Sequence, residues 1–355
     1  MWALLLVLSL LLSSCAGSPN SRAAARQHQL HINGTPIRLT APLGLPPVPA
    51  PDNSPPTREL VELGRTLFFS RKLSVDGTLS CASCHDPATA FADPRPVSLG
   101  VRGRRGKRNA PTVLNAAYYR LLFWDGRARS LEEQASGPIL NDLEMAHSLE
   151  GLLRTCEQDS ELRASFRRAY GQGPISLAKI THALASFERT LLSGDSPFDR
   201  FFFAGDRTAL SPAARRGLEI FRHPAKGNCA ACHTIGERDA LFTDQAFHNL
   251  GVGLDPEGHL TDLGRFLLSR RDLDRGAFRT PSLRNVALTA PYMHDGSLKT
   301  LKEVVDFYVG GGSWNPYLDK QIKPLTHLSA QERADLVAFL ESLTGQLPKA
   351  FPPSP

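Results

Sequence analysis

Two pentapeptides constrain this 355-residue chain more than anything else in it: Cys81-Ala-Ser-Cys84-His85 and Cys229-Ala-Ala-Cys232-His233. Each is a C-x-x-C-H, in which two thiols can form thioethers to a haem while the adjacent imidazole ligates its iron. Paired C-x-x-C units also suit a four-cysteine zinc site or a thioredoxin-like redox motif. Two intact C-x-x-C-H motifs in a chain that starts with an export signal favour covalent haem. The expectation is two haems c, held by Cys81, Cys84 and His85 and by Cys229, Cys232 and His233.

The export signal is residues 1–14, MWALLLVLSLLLSS, too short to span a bilayer and remain there. It ends at Leu12-Ser13-Ser14-Cys15, which resembles the lipobox of bacterial lipoproteins and makes Cys15 the expected lipidated residue. An ordinary signal cut nearby is the alternative. No other run approaches the roughly 18 apolar residues of a transmembrane helix. The expected location is therefore the periplasm, with a membrane touched only through a lipid anchor. With Cys15 at the processing site and four thiols in thioethers, Cys156 has no partner for an internal disulfide and is expected as a buried, inert thiol.

The formal net charge of +6 omits the four propionates that two haems bring. Its densest basic run, Arg102, Arg104, Arg105, Lys107 and Arg108, reads as a solvated loop, or one pairing with propionates or an acidic partner, rather than a nucleic-acid site.

At about 150 residues per domain the length favours two. Residues 16–56 are Pro-rich and read as an extended arm or tether; 57–200 and 206–347 are the expected domains, and 348–355 a tail. Helical periodicity begins at Thr57, with Leu60, Leu63, Leu67 and Phe68 on one face. Capping boxes at Ser130/Glu133, Thr300/Glu303 and Ser329/Glu332, and Ser211-Pro212, mark further helix starts; Gly310 and Gly345 are expected stops. Period-two strands are scarce, so the fold is mainly α. Gly64-x-x-Leu67-Phe68 before the first haem motif repeats as Gly217-x-x-Ile220-Phe221 before the second. A mid-helix Gly is costly unless another backbone approaches closely. Two cytochrome c-like domains, each crossing an N-terminal helix over a C-terminal one beside one haem, fit this pattern.

Between and after the haem motifs stand Asn109-Ala110-Pro111-Thr112, Phe123-Trp124-Asp125-Gly126-Arg127-Ala128, Ser130-Leu131-Glu132-Glu133-Gln134-Ala135, Thr280-Pro281-Ser282-Leu283-Arg284-Asn285 and Pro291-Tyr292-Met293-His294-Asp295-Gly296. With two haem motifs in this order, the chain resembles the bacterial di-haem cytochrome c peroxidases and their MauG relatives from about Leu45 to Gly345. The resemblance implies that hydrogen peroxide reacts at the His85 haem. There Glu144 acts as acid and base, with Gln134 as a neighbouring hydrogen-bonder. Without the family, Glu144 reads as an exposed helical carboxylate. In the peroxidases a His in the loop after the first haem closes that iron until reduction; here the matching residue is Val101, so the first haem is expected open. Trp124 is expected to relay electron holes between the haems, and otherwise to pack a core.

The second haem's distal position, a Met in the classical peroxidases, is Tyr308, as in MauG. The resemblance also implies a calcium ion held by the Asn109 side chain and the carbonyls of Thr289 and Pro291. Oxygen-only ligands suit calcium. MauG's surface tryptophan before its second haem motif has no counterpart in Pro224–Asn228, which argues against methylamine dehydrogenase maturation. The lipobox, Val101 and Tyr308 look more like the MauG-like enzymes called MbnH, which modify a tryptophan on a companion protein. Trp314 is either a different exit for oxidising equivalents or a packed lid.

The expected function is a di-haem peroxidase that uses hydrogen peroxide to oxidise a partner protein. A peroxide-detoxifying enzyme fed by a small cytochrome and a non-enzymatic electron carrier are the rivals.

Overall fold

In the computed structural model, residues 30–49 and 56–348 are described. The expected signal peptide, Cys15, and parts of the arm and tail lie outside them. Among the described residues ten α-helices carry the fold. In the first half these are α1 (Arg58–Phe69), α2 (Leu131–Leu140), α3 (Leu149–Gln158), α4 (Ser160–Tyr170) and α5 (Leu177–Glu188). The second half holds α6 (Pro197–Phe202), α7 (Pro212–Arg222), α8 (Phe266–Ser269), α9 (Leu301–Val309) and α10 (Ala330–Glu341). The two strands, β1 (Phe247–His248) and β2 (Phe278–Arg279), pair antiparallel with Phe247 opposite Arg279. The architecture is mainly helical, as the scarcity of period-two runs implies.

Helix α1 begins where the Thr57 hydroxyl accepts the Leu60 N–H, and it buries Leu60, Leu63, Leu67 and Phe68 along one stripe. That stripe packs on α5, and α7 packs on α10 in the same way. Both crossings depend on glycine. A Cβ at Gly64 would overlap the Ala183 carbonyl of α5, and one at Gly217 would overlap the Asp335 carbonyl of α10. Gly217→Val is therefore expected to force the helices apart and cost about 1–3 kcal/mol or more. Chemical denaturation of the holoprotein measures it, and an unchanged midpoint would show that the crossing tolerates a side chain.

The crossings divide the apolar residues into two main cores. One gathers Phe68, Phe91, Phe187 and Leu184; the other gathers Phe198, Phe221, Phe242 and Phe339. Cys156 is buried in the first, and burial pushes its thiol up to about 12, so it stays protonated. Capping boxes form at Thr300/Glu303 and Ser329/Glu332. At α2 the Ser130 hydroxyl accepts the Glu133 N–H, but the Glu133 carboxylate reaches back one residue further, to the Arg129 N–H at 2.7 Å. Gly310 caps α9, whereas α10 ends at Glu341 with Ser342 as its cap.

The halves are joined by buried polar contacts. Asn115 exchanges two hydrogen bonds with Ser193, whose hydroxyl donates to Asn285 of the second half. Arg284 forms a fully buried bidentate pair with Asp199 and also donates to the Gly44 carbonyl. Within the arm, residues 43–45 are thus held at this junction, since Leu43 accepts from the Asp195 N–H and Leu45 is buried. No helix among the described residues is long and apolar enough to cross a membrane.

Candidate haem sites and the path between them

Each C-x-x-C-H forms a short 3₁₀ turn, Cys81–Ser83 and Cys229–Ala231, closed by the histidine N–H donating to the first cysteine's carbonyl at 2.9 Å. Nδ1 of His85 lies 3.3 Å from the Phe91 carbonyl and Nδ1 of His233 lies 2.9 Å from the Phe242 carbonyl. A carbonyl only accepts, so Nδ1 carries the proton and Nε2 keeps its lone pair. Burial lowers both imidazole pKa values, which favours the neutral, ligating form. These two sites fit haem.

A third observation points the same way. Nη1 of Arg279 is buried without a partner, while Nε donates to the Phe123 carbonyl at 3.4 Å and the guanidinium lies 3.5 Å over the Tyr119 ring. An orphaned buried guanidinium N–H calls for an anion, and a haem propionate is one.

A stretch of the first half, from Asn115 to Ser130, recurs in the second at a constant offset. Trp124 and His294, Gly126 and Gly296, Ser130 and Thr300 are each 170 residues apart. The backbones agree: Phe123 and Met293 both have positive φ, as do Gly126 and Gly296, and the bridges Leu122↔Ala128 and Tyr292↔Leu298 match. At this offset the counterpart of Tyr308 in α9 is Pro138 in α2. The second half thus offers a phenol where the first offers no ligating atom. The Tyr308 ring lies near Cys229 and Cys232, and burial raises its phenol pKa.

In the first half Val101 is buried, and its N–H donates to the Glu144 carbonyl at 2.8 Å. Gly100 permits this, since a Cβ there would overlap the Leu143 carbonyl. Glu144 itself is in a turn between α2 and α3, half-buried, and is not the exposed helical carboxylate that it would be without the family. Burial raises its pKa, opposed by the Asn141 amide, which donates at 2.6 Å, and by the charge of Arg127. Gln134 is half-buried on α2, and the Arg127 guanidinium lies 3.4 Å over the Phe123 ring. His147, the next histidine along the chain, packs against Gly151 at the start of α3.

Trp124 stands where the halves meet. Its indole N–H donates to the Asn109 carbonyl at 2.9 Å, and its carbonyl accepts the Arg279 N–H at 2.8 Å. The Asn109 N–H in turn donates to the carbonyl of His294, the equivalent of Trp124. Asn109 Nδ2 donates to the Asp93 and Arg95 carbonyls, which fixes the amide and turns Oδ1 the opposite way. Asn109 thereby sits beside the segment that carries Thr289 and Pro291. An amide oxygen with backbone carbonyls is a donor set that suits calcium.

Some participants are not singled out by the sequence analysis. Glu188 is buried near Cys81, and burial pushes it up to about 8, with Arg189 opposing and Glu132 reinforcing the rise. Arg108, the last of the basic run, is not a solvated charge: it bonds Asp125 at 2.6 Å and Asp262 at 2.7 Å. His248 lies between Asp319 at 2.6 Å and Asp244 at 2.9 Å, with the Cys232 sulfur close by. The two carboxylates favour its protonated form against burial. Arg279 directly precedes Thr280-Pro281, but nothing local in the sequence signals its missing partner.

Comparisons with known proteins agree with this geometry. Residues 58–208 match the di-haem cytochrome c peroxidase family model, and 214–344 match that of cytochrome c. The chain is 41% identical to the methylamine utilization protein MauG of Methylophilus methylotrophus, over 84% of this chain and 86% of that protein. It is 37% identical to the cytochrome c551 peroxidase of Pseudomonas aeruginosa, over 81% and 79%. Among solved structures, a MauG-like protein associated with microbial copper homeostasis superimposes with a TM-score of 0.77 at 35% identity, covering 86% of this chain and 95% of that one.

Proposed function

Since the chain belongs to the di-haem cytochrome c peroxidase family, with two haems c and peroxide-dependent oxidoreductase activity, we propose that it is a MauG-like oxidant of a partner protein rather than a scavenger of peroxide. The observation that carries this reading is the asymmetry between Tyr308 and Pro138 at equivalent positions, with Val101 beside the first site. The first haem would be held by Cys81, Cys84 and His85, and the second by Cys229, Cys232, His233 and Tyr308. Calcium would be held by Asn109, Thr289 and Pro291.

The haem iron supplies the centre at which the peroxide O–O bond is cleaved. Around it, Glu144 takes a proton from one peroxide oxygen and returns it to the departing one, and Asn141 holds the carboxylate in place. Gln134 hydrogen-bonds the bound peroxide. Val101 leaves the site open because its side chain has no donor atom. Trp124, fixed at both its indole N–H and its carbonyl, passes electrons between the halves. Per peroxide, two electrons and two protons yield two waters, and the partner supplies the electrons. We assign the protein to the periplasm, with Cys15 as its lipid anchor.

The test is the fully ferric protein mixed with peroxide. An immediate spectral change is expected, with no prior reduction. A need for half-reduction would mean that another residue closes the first site, and the reading would pass to the cytochrome-fed peroxidase.

A further inference from the structure

Trp314 is 78% exposed, so it is not a packed lid. It has apolar company: Tyr317 is 39% exposed in the same loop, and Leu267, Leu268 and Leu273 are 46%, 46% and 77% exposed in and after α8. Arg275 joins the two segments, its guanidinium lying 3.8 Å from the Phe266 ring centre and 5.4 Å from that of Tyr317. Clustered exposed apolar residues of this size mark interaction surfaces, and Trp and Tyr dominate the energetics of such contacts. Arg270, Arg271, Lys320 and Lys323 are all exposed around it, against the exposed Asp272, which pairs with Arg275 at 2.8 Å, so the surrounding charge is net positive.

The loop is also wired to the second site. It leaves α9 immediately after Tyr308, with the Gly311 N–H donating to the Tyr308 carbonyl at 3.0 Å. Ser313 N–H donates to the Leu250 carbonyl at 3.1 Å, and the Asn315 and Asn249 amides bond one another. Asp319 closes the loop on His248 at 2.6 Å, and His248 lies beside Cys232. Hydrogen bonds thus tie the loop that carries Trp314 to His248, which lies beside a cysteine of the second haem motif.

We propose that Trp314 and the apolar patch around it are where a protein partner with an acidic face docks and delivers its electrons toward the second haem. This rests on the reading of the chain as an oxidant of a partner protein. The indole loses one electron inward and regains one from the partner, twice per peroxide. The partner ends two electrons oxidised, and peroxide takes those electrons and two protons to become two waters. Basic residues around the patch steer an acidic partner, an effect that falls with ionic strength.

The experiment uses the full-length holoprotein. Peroxide is added with a nitroso spin trap and no donor, and peptides are mapped by mass spectrometry. A trap adduct on Trp314 that disappears in Trp314→Phe is expected. A small acidic protein without haem, bearing an exposed tryptophan, then serves as the probe partner: Trp314→Phe should slow its peroxide-dependent oxidation, followed by mass spectrometry, by about tenfold or more. Lys320→Glu with Lys323→Glu should raise its KM and flatten the salt dependence. Oxidation of the small dye ABTS by the same variants should be unchanged, showing that the peroxide step is intact. An adduct only at other residues, or unchanged oxidation of the probe protein in Trp314→Phe, overturns the proposal. Failure of the natural protein to oxidise the probe protein, while it turns over a reduced c-type cytochrome with peroxide, overturns the underlying functional reading instead, and the proposal with it.

Discussion

Glu144→Gln is expected to slow the reaction of the ferric protein with peroxide by about 10²–10⁴-fold, the usual contribution of a positioned acid–base group, while both haems remain attached. Glutamine keeps the shape and can still face Asn141, but it cannot accept the proton. The pH profile supplies a second reading of the same residue. Burial raises the Glu144 pKa, so the active carboxylate form appears at higher pH than for a free glutamate. The natural protein's rate should rise with pH through that raised value, and Glu144→Gln should lack that limb. Stopped-flow absorbance at several pH values measures both. Equal rates in the two proteins would remove Glu144 from the mechanism and leave its contact with Val101 as a structural one.

What the sequence made legible was whatever depends on near neighbours or on a strict steric demand. His85 and His233 follow from a five-residue motif, and Gly64 and Gly217 from the rule that a helix keeps glycine only for a close approach, which the Ala183 and Asp335 carbonyls make. Contacts between distant segments were not legible. Arg108 looked like one more charge in a basic loop because its two carboxylates lie 17 and 154 residues away. The correspondence of Trp124 with His294 was hidden by unlike side chains on like backbones; positive φ at Phe123 and Met293 keeps the turn while chemistry differs. Glu144 and Val101 carry no local sign that the chain would bring them together, and only the family resemblance pointed to both. The two roles left open for Trp314 needed its exposure to separate them.

Tyr308→Met should raise the second haem's reduction potential by on the order of 0.1 V or more, within the about 0.8 V over which axial ligands tune haem. A phenolate oxygen is a hard anionic donor that favours the more oxidised iron, whereas a thioether favours the reduced one. Burial opposes ionisation of this phenol, so an ionised Tyr308 requires the positive iron as its counter-charge. Ligation and deprotonation would therefore occur together, and a Tyr308→Phe variant should lose both. If Tyr308 is a ligand, the natural protein should show a phenolate-to-iron charge-transfer band that both variants lack. The functional consequence follows from the potentials. A second haem made easy to reduce would hold the partner's electrons and cycle like that of a cytochrome-fed peroxidase, whereas one held oxidised by a phenolate would pass oxidising power outward. Potentiometric titration of the natural protein and Tyr308→Met, followed at the second haem's absorbance, decides the matter. Coincident potentials and no charge-transfer band would place the phenol off the iron, and the case for a MauG-like oxidant would lose the asymmetry with Pro138 on which it stands.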